Sequence, residues 1–241
     1  MISFKFESDI EITSNEWLIE DTIPTEGISV ICGTDGYNNS LVATELVLKL
    51  AYGTNLSRRE IPSAQQVLHI TIDSNNKVAQ RIECWKERYR INGQSLFSII
   101  TSPIDLLDKV HLRQLVADIA FCNLSAGNNK YPALVVIDIQ GGLTDEFNPN
   151  ELINSIDYLR SQMGSAFLLV FNEGNCEGSC EEGNAFKNIF NAADTVHRVT
   201  ATDEHLRVRL SCIKMKNFAK PSFVMLDIFC VSYQQYLGRE R

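Results

Sequence analysis

Residues Ile28 to Gly53 read ISVICGTDGYNNSLVATELVLKLAYG, and the fold turns on how this stretch is parsed. An apolar run ends in Gly33, a short polar turn follows, and a segment of helical period begins near Ser40. That is the layout of a phosphate-binding strand, loop and helix, whose motif GxxxxGK[ST] works through three parts. Main-chain N–H groups cradle the anion, a lysine grips the outer phosphates, and a hydroxyl meets magnesium. Here the eight residues are GTDGYNNS. Gly33 fills the first glycine and Ser40 keeps the hydroxyl, while Asn38 replaces the second glycine and Asn39 replaces the lysine.

These changes act in one direction. Asparagine at 38 is tolerable, because it visits left-handed backbone conformations more readily than other non-glycine residues. Asn39 removes a full positive charge. Asp35 adds a negative one, which about 5 Å from a phosphate costs roughly 1–3 kcal/mol at effective dielectrics of 80 down to 20. Turnover suffers more than binding, since deleting a single neutral donor to a transition-state oxyanion costs about 10²–10³ in rate. The helix N-terminus would still favour an anion. By itself the stretch also fits an ordinary strand, turn and helix with small polar residues in the turn.

Along the rest of the chain, short apolar runs alternate with helix-period segments, the pattern of a mostly parallel sheet flanked by helices. Strands are expected at Ile28–Cys32, Val67–Ile72, Phe97–Thr101, Leu134–Asp138, Ala166–Phe171, Thr195–Thr200, Leu206–Lys214 and Phe223–Phe229. Helices are expected at Ser40–Tyr52, Asn75–Arg90, Ile104–Cys122 and Pro149–Met163, with a short one near Gly183–Asn191. No helix-length segment separates the last three strands, so the sheet should finish in antiparallel hairpins, with ATDEH (Ala201 to His205) as one turn. With 241 residues and no long linker, one domain is expected, residues 1–26 serving as its lead-in.

Composition narrows the function classes. A net charge of −8 repels phosphate backbones, so any contact with single-stranded DNA must be local. KERYR (Lys86 to Arg90) and KMKNFAK (Lys214 to Lys220) are the basic clusters, and each also reads as a solvated surface. No membrane span is long enough to be read, and the acidic start is unlike a signal peptide, so a cytoplasmic setting is expected. Seven cysteines, several of them in apolar runs, argue against a disulfide framework. Cys176 and Cys180 in the glycine- and acid-rich stretch Asn172 to Asn184 have no second pair at zinc-site spacing. His69 and His111 show no nucleophile–base spacing, and the G-x-S-x-G of serine hydrolases is missing.

The order of motifs resembles a known family. WLIEDTIPTEGISVICGTDGYNNSLVATELVLKLAYG, from Trp17, is similar to the opening of RecA-like hexameric ATPases of the plasmid RepA type. VLHITIDSNNKVAQRIECWKERYRI resembles that family's second strand and following helix, with Asp73 at the position of its catalytic glutamate. PALVVIDIQGGLTD resembles the Walker B strand, with Asp138 as the magnesium-linked carboxylate. SAFLLVFNEGN corresponds to the next strand, where Phe171 and Asn172 replace phosphate-sensing histidines. NAFKNIFNAADTVHRV and VRLSCIKMKNFAKP match later segments, Lys216 and Asn217 falling on a Lys-Asn pair that lies near the neighbouring subunit's nucleotide. The correspondence runs from Trp17 to Phe229.

The resemblance implies a RecA-like P-loop NTPase fold, ATP and magnesium between subunits of a ring, and a role in plasmid or phage DNA replication. It assigns the nucleotide contacts to Gly33, Thr34, Asp35, Gly36, Tyr37, Asn38, Asn39, Ser40, Leu41 and Asn172. Magnesium would fall to Ser40 and Asp138, water activation to Asp73, and a cation acting on a neighbour to Lys216. Asp73 is one methylene shorter than the glutamate it replaces and better suits a helix N-cap before Asn75. Three readings follow: a weak or non-hydrolysing relative used in assembly or regulation, alone in a ring or beside a related active subunit; an active ring whose cation comes from Lys187 or Lys216 of a neighbour; or a single-stranded DNA-binding module without nucleotide chemistry.

Overall fold

The computed structural model describes residues 17–33, 36–71, 75–93, 95–100, 102, 104–125, 130–139, 148–172, 184–202 and 207–227. The strands β3 (Ile28–Gly33), β4 (Val67–Thr71), β6 (Leu134–Ile139) and β7 (Ala166–Asn172) are almost wholly buried apolar runs. Strands of this kind need cover on both faces, and parallel pairing supplies it through crossover helices. Together with β5 (Phe97–Ile100), β8 (Thr195–Ala201), β9 (Arg207–Met215) and β10 (Val224–Asp227) they form an eight-stranded sheet in the order β10-β9-β8-β3-β7-β6-β4-β5. Pairing is parallel from β8 to β5 and antiparallel along β8-β9-β10, the C-terminal hairpins that the sequence implies.

Two cores lie on opposite faces. One packs α1 (Gly36–Tyr52) and Trp85 of α2 (Asn75–Tyr89) on Ile31, Val67, Val136 and Val170. The other packs α3 (Lys109–Ser125), α4 (Pro149–Met163) and α5 (Asn184–Ala192) on Val30, Leu68, Val135 and Phe167. Alternate residues of each strand serve alternate cores, as the period of two requires. Each fully buried Leu, Ile or Phe contributes about 1.5–3 kcal/mol over its exposed state.

Local signals set the element ends. Asn148 caps α4 through its side-chain oxygen, Pro149 occupies the first turn, and Gly164 closes the helix at φ 66°. Helix α3 begins at Lys109, not at Ile104, because the Asp108 carboxylate accepts from Val110 N at 2.8 Å and caps it there. The lead-in contains a small hairpin that the sequence pattern did not reveal, β1 (Trp17–Ile19) with β2 (Ile23–Pro24). Its Ile19 and Ile23 are fully buried. The buried Arg59 holds its turn by donating to Asp21 O at 3.1 Å and Thr22 Oγ1 at 2.5 Å.

Helix α1 is the correction that matters for function. It starts at Gly36, four residues before the expected Ser40. Its first-turn N–H groups, the ones free to meet an anion, therefore belong to Gly36 to Asn39. A phosphate loop spends those residues on a wide turn around its ligand. Here they form the first turn of the helix.

Candidate functional site

In an open α/β sheet, ligands bind beyond the carboxyl ends of the strands where neighbouring strands send their helices to opposite faces. Here β3 leads into α1 on one face and its neighbour β7 leads towards α5 on the other. The crevice thus lies between the ends of β3 and β7, where Gly33 pairs with Asn172.

Asn39 fills it. The residue is 1% exposed, and its Nδ2 donates to Phe171 O at 2.9 Å, Gly33 O at 3.1 Å and Asn172 Oδ1 at 3.2 Å. The amide turns inward and ties α1 to two strand ends. Its Oδ1 is buried with no partner among the described residues. Close packing explains Gly33: a Cβ there would lie 2.6 Å from Val199 O and 2.7 Å from Asn39 Oδ1. The glycine is required by contact with β8 and Asn39, as well as by any motif.

Ser40 and Leu41 are buried in the second turn of α1, Ser40 O accepting from Thr44 Oγ1 at 2.8 Å. Asp138 is 4% exposed near the end of β6, opposite Thr71 of β4 and Val170 of β7. Its Oδ2 lies 4.0 Å from Nε2 of His69, itself buried. The sequence leaves His69 open between a structural and a solvated place; it is buried, and its nearness to Asp138 could not be read from the chain. Strand β7 separates β3 from β6, so their backbones run about 10 Å apart.

Magnesium wants near-octahedral oxygen at 2.0–2.1 Å and is usually held by one or two carboxylates plus substrate phosphates. One hydroxyl and one carboxylate on elements so far apart fit the ion only as a companion of bound phosphate. Among the described residues, no group of three His, Cys, Asp or Glu is placed to hold a metal. Among the described residues, the ends of β3, β4, β6 and β7 and the first turn of α1 carry no lysine or arginine at the crevice, and Arg198 of β8 stands opposite Cys32, one residue before Gly33. The crevice presents strand-end carbonyls satisfied by a neutral amide.

Other residues named from the sequence lie elsewhere. Thr34, Asp35, Asp73, Cys176 and Cys180 fall outside the described residues, and Gly36, Tyr37 and Asn38 are described only as backbone of α1. Lys216 stands at the opposite end of the sheet. Its Nζ donates to Ala192 O at 3.1 Å and to Asp194 Oδ1 at 3.2 Å, and Asp194 Oδ2 accepts from Ile28 N at 2.9 Å. From Ile28 to Gly33 a strand covers about 17 Å, so Lys216 does not reach the crevice of its own chain. Lys214 donates to Phe190 O and Asn191 O, and the two lysines together cover the C-terminal carbonyls of α5. Burial lowers the Lys214 pKa. Lys187 is exposed on α5.

A second buried network sits behind β3. His197 is 1% exposed; its Nε2 lies 3.0 Å from Thr22 O and donates to it, leaving Nδ1 without a partner among the described residues. Burial, followed by the Arg59 charge, pushes its pKa down to about 4. This histidine stays neutral and fastens the β1–β2 turn to β8.

No helix among the described residues is long and apolar enough to cross a membrane. Comparison with known proteins agrees with the fold. The crystal structure of the RadB recombinase superposes with a TM-score of 0.55 at 10% identity, over 86% of this chain and 89% of that one. That likeness is one of fold, a RecA-like α/β sheet. No curated protein matches the sequence. The model of the AAA domain family matches residues 3–177 of the 241. The chain belongs to the AAA domain family, on a RecA-like P-loop ATPase fold.

Proposed function

We propose that this chain is a degenerate ATPase-fold protein of the RepA type, which binds nucleotide weakly or not at all and does not turn it over efficiently. It acts as an assembly or regulatory component in DNA replication of a plasmid, phage or other mobile element, in the cytoplasm, as a single domain. It works as a ring of its own copies or beside a related active subunit. The observation that carries the reading is Asn39. Where a phosphate-gripping lysine would extend toward ligand, a neutral amide is buried and spent on Phe171 O and Gly33 O. Asn172 supports it, standing where the resembling family senses phosphate and taking part in the same amide contacts.

The test is a titration with labelled ATP and magnesium. Weak or absent binding, or binding without turnover, supports the reading, and micromolar binding with fast turnover opposes it.

One observation favours a second reading, an active ring. Lys216 is 42% exposed on its side chain and lines an open cavity of about 370 Å³ with Trp17, Asp194 and Phe218. A cation in that position serves a neighbour's nucleotide or none. This reading requires turnover that rises with protein concentration and disappears in Lys216→Ala.

A further inference from the structure

Strand β10 is an edge, paired with β9 alone among the described residues. Its side chains alternate between two surroundings. Val224 and Leu226 are buried in the α1 core with Val208 and Leu210. Met225 lies opposite Arg209 and Asp227 opposite Arg207, so these four share the other face, where Arg209 stands 4.6 Å from the exposed ring of Phe223. Asp227 accepts from Arg207 Nε at 2.7 Å and also meets Arg88 of α2 at 3.8 Å. Three arginines thus gather around one carboxylate, a local excess of positive charge in a chain of net charge −8. A strand edge with one apolar and one basic face suits an added strand whose own faces are apolar and acidic.

The lead-in has that pattern. Residues 9–13 read DIEIT, in which Asp9, Glu11 and Thr13 alternate with Ile10 and Ile12. The position of Trp17 brings them to β10. Its ring packs 4.8 Å from that of Phe218, in the loop between β9 and β10. The same loop is tied to the β1–β2 turn by Arg59, which donates to Ser222 O at 2.8 Å and to Asp21 O at 3.1 Å. From Met215, where β9 ends, to Leu210, where its pairing with β10 begins, the strand covers about 17 Å, and β10 adds about 10 Å more. The eight steps from Trp17 back to Asp9 span about 26–29 Å when extended. A chain leaving Trp17 along this edge therefore meets β10 with residues 9–13, and it runs antiparallel to β10.

We propose that residues 9–13 pair with β10 of the same chain as a ninth, antiparallel strand of the sheet. Asp9 and Glu11 then lie on the face of Arg207 and Arg209, while Ile10 and Ile12 extend the apolar face of Val224 and Leu226; a slip of one residue would reverse both. The strap closes this edge of the sheet against strands of other molecules. The inference does not rest on the nucleotide reading above.

Hydrogen–deuterium exchange of the full chain, read by mass spectrometry on peptides covering residues 8–13 and 223–227, tests it. In the wild type both peptides are protected, to the same degree at every protein concentration. Ile10→Pro/Ile12→Pro removes main-chain donors from the strap, and exchange of both peptides speeds up at least tenfold. Glu11→Arg speeds exchange of residues 8–13 at least threefold by setting like charges together, and adding Arg209→Glu restores the wild-type rate. This exchange of charges remains decisive if the proline variant loses its circular-dichroism signature. Three results would overturn the proposal. They are exchange of residues 8–13 as fast as in an unstructured peptide, protection of residues 223–227 unchanged by the prolines, and protection that grows with protein concentration, which assigns the added strand to a second copy.

Discussion

The Asn39 side-chain amide donates to the main-chain carbonyl of Phe171 across 2.9 Å, joining residues 132 positions apart in sequence. The contact ties the first turn of α1 to the carboxyl end of β7. Replacing Asn39 by alanine leaves the carbonyls of Gly33 and Phe171 without this donor in a buried setting, which costs about 1–3 kcal/mol. Urea unfolding of Asn39→Ala should show that loss as a lower midpoint at unchanged slope. A variant as stable as the wild type would mean that the amide contacts are incidental.

Gly33→Ala should be destabilising for a different reason. The added methyl group would meet Val199 O at 2.6 Å and Asn39 Oδ1 at 2.7 Å. Overpacking of this kind costs about 1–3 kcal/mol, and thermal unfolding monitored by circular dichroism measures it. If the glycine served only a phosphate loop, the substitution would leave unfolding of the nucleotide-free protein unchanged.

How much of this was legible beforehand follows from what each feature depends on. VLHIT, LVVIDI and AFLLVF announce buried parallel strands, because a strand covered on both faces is a continuous apolar run. The missing lysine at Asn39 is equally plain in the chain. The β1–β2 hairpin was not, since strands of three and two residues are too short to show a period. The inward turn of Asn39 depends on Phe171 and Asn172, which no local pattern connects to residue 39. Asp138 was named for its place after an apolar run, whereas its approach to His69 required the register of β6 on β4.

Acid should weaken the fold through His197. Its pKa is about 4 in the folded protein against about 6.5 when unfolded. Between these values the unfolded chain binds the proton and the folded chain does not, so stability falls as pH drops from about 6.5 to about 4 and levels off below. Integrated over that window the loss is about 3 kcal/mol. Denaturant midpoints measured from pH 7.5 to 4 should show the slope, and His197→Gln should flatten it. A wild-type profile flat over that range contradicts this placement of the histidine.

Lys216→Ala removes a cation from the C-terminal end of α5 and its pair with Asp194. For partly exposed groups of this kind the expected loss is small, about 0.3–1 kcal/mol, and it should shrink in high salt. The same variant addresses the active-ring reading. Loss of stability without any effect on ATP turnover assigns Lys216 to capping, whereas loss of turnover by an otherwise stable variant assigns it to a neighbour's nucleotide.

The central proposal is that a chain whose Asn39 amide is spent on Gly33 O and Phe171 O does not support efficient ATP turnover. Steady-state ATP hydrolysis with magnesium, by the purified full chain across the concentrations at which it associates, tests this most directly. The predicted result is a rate no higher than that of an Asp138→Ala control at every concentration. Turnover of about 1 per second or faster, abolished by Asp138→Ala, is the result that would contradict it.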